Sequence, residues 1–445
     1  MDLRPDPEKI GGDIYSLATE IYPICRSITG DGVRATLRHL SQHIKLDVHE
    51  VATGTPAFDW TVPREWNIRD AFIKDSAGNK IVDFAQSNLH VVSYSVPVRA
   101  RLSLAELKKH LHSLPLQPDL IPYRTSYYAE NWGFCVPHRL LESLKDDTYE
   151  VVIDSTLKDG FLTYGEFLHP GDTDDEVLLS AHICHPSLAN DNCSGLALLT
   201  YLAKAIAQQK TRYSYRFLFA PGSIGALTWL SLNEDKAARI KHGIIVSGVG
   251  DAGGPTYKKS RRGNAEIDMA MARVLRNFGQ QASVIDFSPY GYDERQYCSP
   301  GFNLPVGLFQ RSKWGTFPEY HTSADNLDFI KPKYLGESYG IISEALGVIE
   351  SNLKYENTSP KGEPHLGKRG LYGSLGGDKD GAARIMTMLW VLNLSDREHS
   401  LLDIAERAGL TLADVSSAAA LLEKHGLLRR VGLTEVAAGP SGGGR

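Results

Sequence analysis

The sequence predicts an α/β protein: a mainly parallel sheet covered by helices on both faces, with a small β-rich insertion and a C-terminal winged helix. Three observations carry this. Strand-like and helix-like segments alternate from about residue 126 to 354. Residues 45–125 hold short alternating runs between turn clusters. Residues 399–430 run helix, glycine turn, helix. Strands that alternate with helices give a parallel sheet with helices on its faces.

Residues 11–44 read as helical, with a loop over 27–32. Leu46-Asp47-Val48-His49-Glu50-Val51 then alternates apolar and polar, as a half-buried strand does. Thr53-Gly54-Thr55-Pro56 and Ser76-Ala77-Gly78-Asn79 are turn clusters. Ile81-Val82-Asp83-Phe84 and Val91-Val92-Ser93-Tyr94-Ser95-Val96 are further strand candidates. Together they define the expected insertion over 45–125. Strands follow over 149–153, 161–167 and 176–181. A helix over 194–208 carries Leu196, Leu199, Leu202 and Ala203 at helical spacing. Strands over 215–220, 243–249 and 304–309 alternate with helices over 225–232, 268–277 and 333–351. The core is therefore expected over 1–44 and 126–354. A linker or ordered loop is expected over 355–380, a winged helix over 381–436 and a disordered tail over 437–445.

A chain of 445 residues has room for two or three domains. Its 42% hydrophobic and 23% charged content is that of an ordinary soluble globular protein. A net charge of -5 gives no reason to expect nucleic acid or an anionic membrane as the main partner. Between residues 395 and 445 there are six Lys plus Arg against seven Asp plus Glu. DNA affinity comes mostly from phosphate neutralisation, so this balance argues against DNA binding by the winged helix. A winged helix of that kind is a reasonable dimerisation element, and a homo-oligomer is the corresponding expectation. Five cysteines do not read as a disulfide framework. The first ten residues carry Asp2, Arg4, Asp6, Glu8 and Lys9 and lack the apolar segment of a signal peptide. No apolar run approaches the ~20 residues of a membrane helix. The expected location is the cytoplasm.

The most informative segment is Leu179-Ser180-Ala181-His182-Ile183-Cys184-His185-Pro186-Ser187-Leu188-Ala189-Asn190-Asp191-Asn192-Cys193-Ser194-Gly195. An apolar strand runs straight into His182, and a short loop delivers Asp191 before a helix opens. Imidazole nitrogen and carboxylate oxygen are both good zinc ligands. Open α/β sheets bind ligands in the crevice beyond the carboxyl ends of their strands. The alternative is a surface loop whose histidines are merely solvated.

The chain resembles bacterial aminopeptidase-like proteins that join a zinc-aminopeptidase core, an inserted β-rich domain of unknown function and a C-terminal winged helix. The resemblance covers nearly the whole chain. It rests on the segment above and on Phe58-Asp59-Trp60-Thr61-Val62-Pro63-Arg64-Glu65-Trp66, Gly250-Asp251 and Ser260-Arg261-Arg262-Gly263. Tyr292-Asp293-Glu294-Arg295-Gln296-Tyr297, Tyr320-His321-Thr322-Ser323-Ala324-Asp325 and Leu366-Gly367-Lys368-Arg369-Gly370-Leu371-Tyr372 complete it. The wider clan contains leucyl aminopeptidases and glutaminyl cyclases on a phosphorylase/hydrolase-like core. The resemblance implies metal ligands at His182, Asp191, Asp251 and His321. Asp251 also reads as a turn residue, and His321 as a loop histidine.

Two departures from the clan matter. After a strand like Phe217-Leu218-Phe219-Ala220 the clan carries two glutamates, a general base and a second-zinc ligand. Here the segment is Pro221-Gly222-Ser223-Ile224-Gly225. The resemblance thus implies a single Zn2+ per chain with an open position, and a missing base at Gly222. His185 and Glu294 are the candidates for moving the proton, and His185 reads equally as a hydrogen-bonded neighbour of the ligands. Asp293, Arg261, Arg262 and Tyr320 are candidate substrate contacts. The two arginines would hold a substrate carboxylate or phosphate, although Lys258-Lys259-Ser260-Arg261-Arg262 also reads as a solvated charge run. Cys184 and Cys193 flank the ligands, and buried inert thiols are the commoner outcome.

The leading expectation is a mononuclear zinc aminopeptidase-like enzyme acting on an amide of a small, amino-acid-containing, biosynthetic substrate. An amide-forming or group-transfer enzyme is the alternative, because Gly222 lacks the base. A non-catalytic metal-binding scaffold or a winged-helix regulator is the alternative from another class.

Overall fold

The computed structural model describes residue 3 and residues 6–279, 281–371 and 379–432. The expected tail over 437–445, residues 433–436 and residues 372–378 lie outside the described residues. The chain divides into two units, Met1–Ala345 and Leu346–Arg445.

A mixed eight-stranded sheet organises the first unit. Its strands are β1 (Asp47–Ala52), β2 (Phe161–His169), β3 (Glu176–His182), β4 (Ser214–Ala220), β5 (Ile240–Val246), β6 (Thr256–Lys258), β7 (Ser283–Ile285) and β8 (Val306–Gln310). They lie in the order β1-β2-β4-β3-β5-β8-β6-β7. The central strands β4, β3, β5 and β8 run parallel. The pairs β1–β2, β2–β4 and β6–β8 are antiparallel. Every residue of β3, β4 and β8 is buried. Successive strand residues point to opposite faces, so both faces are covered. The helix Gly195–Ile206 supplies part of that cover and buries Leu196, Leu199, Leu202 and Ala203.

The connection from β3 leads to β4 on one side, and the next leads from β4 to β5 on the other. The carboxyl end of β3 therefore lies where the winding reverses, the usual ligand crevice of open α/β sheets. His182 ends that strand.

A separate four-stranded antiparallel sheet joins Lys80–Asp83, Glu65–Lys74, Thr148–Lys158 and Val98–Ser103. Its core contains Ala71, Ile73, Val82, Leu107, Phe134, Tyr149, Val151 and Ile153. This moves the expected 45–125 boundaries. β1 belongs to the large sheet, where it pairs with β2, and Thr148–Lys158 belongs to the small one. An alternating strand specifies a buried face but not the sheet that provides it.

In the second unit, Lys354–Asn357 pairs antiparallel with Asp396–Ser400 and with Leu428–Arg430. The strand Lys354–Asn357 thus lies in the winged-helix sheet, and the expected linker over 355–380 starts within it. Ser400 and Asp403 form a capping box at the start of Leu401–Ala408, and Gly409 ends that helix at φ 67. Thr411 then accepts from Asp414 N at the start of Leu412–Lys424. These are the start and stop signals of a helix-turn-helix. Among the described residues no helix is long and apolar enough to cross a membrane.

Candidate metal centre

Beyond His182 the chain turns through Ala189–Ser194 into the helix Gly195–Ile206. Asp191 sits in that turn at φ -110 and ψ 80, outside helical geometry. The neighbouring polar side chains account for this. Asn192 Nδ2 donates to the Val246 carbonyl at 3.0 Å, and Asn192 Oδ1 accepts from Gly248 N at 3.3 Å. Asn190 Oδ1 accepts from Gly250 N at 2.8 Å, and Ser194 Oγ accepts from Val249 N at 3.1 Å. Asp325 accepts from the backbone N–H groups of Asn190 at 2.6 Å and Asp191 at 3.0 Å. Burial pushes Asp325 up to about 8, with the two backbone donors acting against the rise.

Asp191 is 1% exposed and its two oxygens diverge. Oδ1 lies 2.8 Å from His182 Nε2, and Oδ2 lies 3.2 Å from His321 Nε2. His185 offers a nitrogen within 4.8 Å of the ligand atoms of His182 and Asp191. Burial lowers the His185 imidazole well below its ordinary pKa, with the Asp191 carboxylate acting the other way. Burial alone would raise Asp191, but His185 and His182 hold it well below the usual carboxylate range. Aromatic rings fix the imidazoles. Tyr292 stacks on His182 at 5.1 Å, Tyr320 stacks on His321 at 4.0 Å, and Tyr123 meets His321 edge-on at 5.1 Å. His321 has φ 55, a region that non-glycine residues seldom adopt. Its carbonyl is held by Tyr123 N at 2.8 Å.

These residues fit a zinc ion. His182 Nε2 is buried without a hydrogen-bond partner although a carboxylate oxygen lies 2.8 Å away. Two lone-pair donors converge there without the alignment of a hydrogen bond, as ligands of a shared cation do. Imidazole nitrogens and a carboxylate form a zinc donor set.

Asp251 does not join them. Its Oδ1 accepts from Ser312 Oγ and Gly253 N, both at 2.6 Å, and its Oδ2 accepts from Asn190 Nδ2 at 2.8 Å. The expected ligand role of Asp251 is therefore corrected: it fastens the loop that holds Asn190. The residue that meets Asp191 from the end of β5 is Ser247, whose Oγ donates to Asp191 Oδ1 at 3.3 Å.

The imidazoles open onto a cavity of about 350 Å³ whose lining includes Tyr123, His182, His185, Ser223, Asp293, Arg295, Trp314, Tyr320 and His321. Asp293 and Tyr320 both line this cavity. Glu294 does not. It is 0% exposed and forms a 2.6 Å ion pair with Lys258, itself 0% exposed. Glu294 is therefore corrected from proton carrier to interior anchor of its segment. Arg261 donates to Asn303 Oδ1 at 3.0 Å and Arg262 to the Asn303 carbonyl at 2.8 Å. Neither lines the cavity, so both are corrected as substrate contacts.

Gly222 lies at the cavity wall. A Cβ built there would stand 3.1 Å from His182 Cβ and 3.2 and 3.3 Å from the Asp293 carboxylate oxygens. Asp293 thus fills the space next to the bare glycine. Burial raises it to about 6, with His182 acting the other way, and the Ser223 side chain hydrogen-bonds to it. The sequence offers Glu294 for moving the proton and Asp293 as a substrate contact, and nothing local distinguishes which of two adjacent carboxylates faces a cavity.

A family model described as a domain of unknown function, DUF4910, matches residues 15–352, and a winged helix-turn-helix model matches residues 353–430. The chain belongs to the DUF4910 family. A Clostridium acetobutylicum protein is 52% identical over 421 residues, 95% of this chain and 97% of that one. Its provisional name is polysaccharide biosynthesis protein with aminopeptidase-like domain. The crystal structure of a provisionally named peptidase from C. acetobutylicum is 50% identical, covers 96% of this chain and 97% of its own, and has a TM-score of 0.87. A zinc aminopeptidase from Bacillus subtilis shares the fold with a TM-score of 0.56 at 14% identity, over 78% of this chain and 95% of its own.

Proposed function

We propose that the chain is a zinc-dependent, aminopeptidase-like enzyme that acts on an amide bond of a small amino-acid-containing substrate. The reading rests on one observation: His182, His185, Asp191 and His321 converge on a small cavity, with the Asp293 carboxylate beside them where Gly222 leaves room. His182, Asp191 and His321 would hold one zinc ion per chain, with His185 adjoining the same carboxylate. When bound, the ion would supply a Lewis acid for the amide carbonyl. The cavity volume suits a small molecule rather than a folded polypeptide. Asp293 takes the proton from the attacking water and returns it to the leaving amine, a role typically worth ~10²- to 10⁴-fold. Tyr292 and Tyr320 keep the imidazoles in place by stacking. The name of the 52% identical relative supports a biosynthetic substrate.

Metal content per chain, measured by elemental analysis on protein purified without added metal, tests the reading. About one zinc is expected in the parent and none in His182→Ala. No metal in either protein after incubation with zinc would reject it. Asp293→Asn is expected to keep the metal while turnover of aminoacyl p-nitroanilides falls ~10²-fold or more.

A further inference from the structure

We infer that Arg295 is the anchor for an oxyanion, a carboxylate or a phosphate, carried by the molecule that occupies this cavity. The inference rests on the proposed role of the cavity as substrate site and names the substrate class: amides bearing a negative group close to the reacting bond.

Arg295 lines the cavity together with Asp293. Its Nη2 reaches Ser223 Oγ at a long 3.4 Å, and its guanidinium lies 5.5 Å from the Tyr290 ring. Its Nε is buried and has no hydrogen-bond partner. Among the described residues, the fully buried cations of this unit, Lys258, Arg216, Arg311 and Arg26, are engaged. Lys258 pairs with Glu294, Arg216 with Glu176 and Glu166, and Arg311 with Glu337. Arg26, 1% exposed, donates to the carbonyls of His185 and Ile21. Among the described residues Arg295 has no carboxylate within ion-pair distance. A guanidinium has five N–H donors in a planar fork, and a buried donor without an acceptor is costly. The acceptor that suits the fork is a carboxylate or phosphate, bound by two parallel N–H···O bonds.

The local fold explains the position. Asp293 and Arg295 flank Glu294 at the start of Glu294–Tyr297. Lys258 holds Glu294 inward and also donates to the Tyr290 carbonyl at 2.9 Å. With the middle residue anchored, its two neighbours are left to the cavity. An oxyanion bound to Arg295 would set the distance between the substrate's charged end and the Asp293 carboxylate.

Titration calorimetry on the full-length protein tests this with two near-isosteric probes, N-acetylglycine with a carboxylate and N-acetylglycinamide with a neutral carboxamide, and with inorganic phosphate as a third. N-acetylglycine is expected to bind ~10-fold or more tightly than the amide, Arg295→Gln to abolish the difference, and Arg295→Lys to retain part of it. Binding of phosphate that depends on Arg295, without a preference for N-acetylglycine, would support the anchor with phosphate as the group recognised. Equal affinities for the matched pair without Arg295-dependent phosphate binding would overturn the proposal. So would no binding of either anion, or an anion preference that survives in Arg295→Gln. Zinc content is measured on the same samples. Intact zinc with no Arg295-dependent anion binding removes the anchor alone, whereas Arg295-dependent binding in a protein that takes up no zinc removes the metal centre alone.

Discussion

Gly222→Glu would place a carboxylate at the position where the sequence resemblance implies a general base, and the structure predicts that it does not fit. The new Cβ meets His182 Cβ at 3.1 Å and the Asp293 oxygens at 3.2 and 3.3 Å. Inserting atoms into such packing typically costs about 1–3 kcal/mol. Two ionised carboxylates about 4 Å apart repel by ~4 kcal/mol at an effective dielectric constant near 20, until one takes up a proton. Asp293 already stands at about 6, so taking up a proton at pH 7 costs only about 1.4 kcal/mol and caps the repulsion. Gly222→Glu should therefore lose roughly 2–4 kcal/mol of stability. Gly222→Ala, which adds only the Cβ, should lose about 1 kcal/mol. Asp293→Ala/Gly222→Glu should recover most of the loss, because removing the Asp293 carboxylate empties the space that the new glutamate requires. Urea denaturation followed by tryptophan fluorescence reads this, since every tryptophan except Trp390 lies in the unit Met1–Ala345. The double variant should also regain turnover that Asp293→Ala alone loses. A Gly222→Glu protein as stable as the parent, or a double variant weaker than the single one, would refute the placement of Asp293 beside Gly222.

Lys258→Met should cost about 3–5 kcal/mol by leaving Glu294 charged and buried, and Lys258→Met/Glu294→Leu should recover most of it; denaturation midpoints that leave the double variant as weak as the single would contradict this. Glu65 provides a pH test. Arg34 holds it through two 2.8 Å hydrogen bonds and lowers it from about 4.5 to about 2, against the effect of burial. The folded value lies below the unfolded one, so the stabilisation is complete above pH 4.5 and is lost as pH falls toward 2. After allowance for solvent screening it amounts to roughly 2 kcal/mol, and Glu65→Gln should flatten this part of the stability–pH curve. In the winged helix Arg429 pairs with Glu356 and Arg430 with Glu423. Fluorescence anisotropy with a labelled random-sequence duplex should accordingly show no steeply salt-dependent binding.

Several elements could be read directly because their patterns are local. The strand ending in His182, the helix after Asp191 and the turn between the last two helices each carry their own periodicity or cap. The apolar strand that becomes β3 is buried at all seven positions, as its composition implies. The insertion boundaries could not be read this way. Nothing local in β1 or Thr148–Lys158 names the sheet they enter, and only their distant partners, β2 and Glu65–Lys74, decide it. Lys354–Asn357 was hidden for the same reason, since its partners lie some forty and seventy residues further along.

The site divides along the same line. The sequence by itself determined the types of group available: two histidines and an aspartate around a strand end, a distant histidine, and no carboxylate at 222. Residue chemistry and short-range order suffice for that. Tertiary structure decided which groups face one another. It turned Glu294 to Lys258 and Arg261 and Arg262 to Asn303, and it tied Asp251 to Ser312 and Asn190. It also brought Asp293 against Gly222, seventy-one positions away, and left Arg295 in the cavity. The physical reason is that side-chain direction follows from packing. Adjacent residues of identical chemistry point to opposite surroundings, and only the folded neighbours determine which one meets the interior and which one meets the ligand.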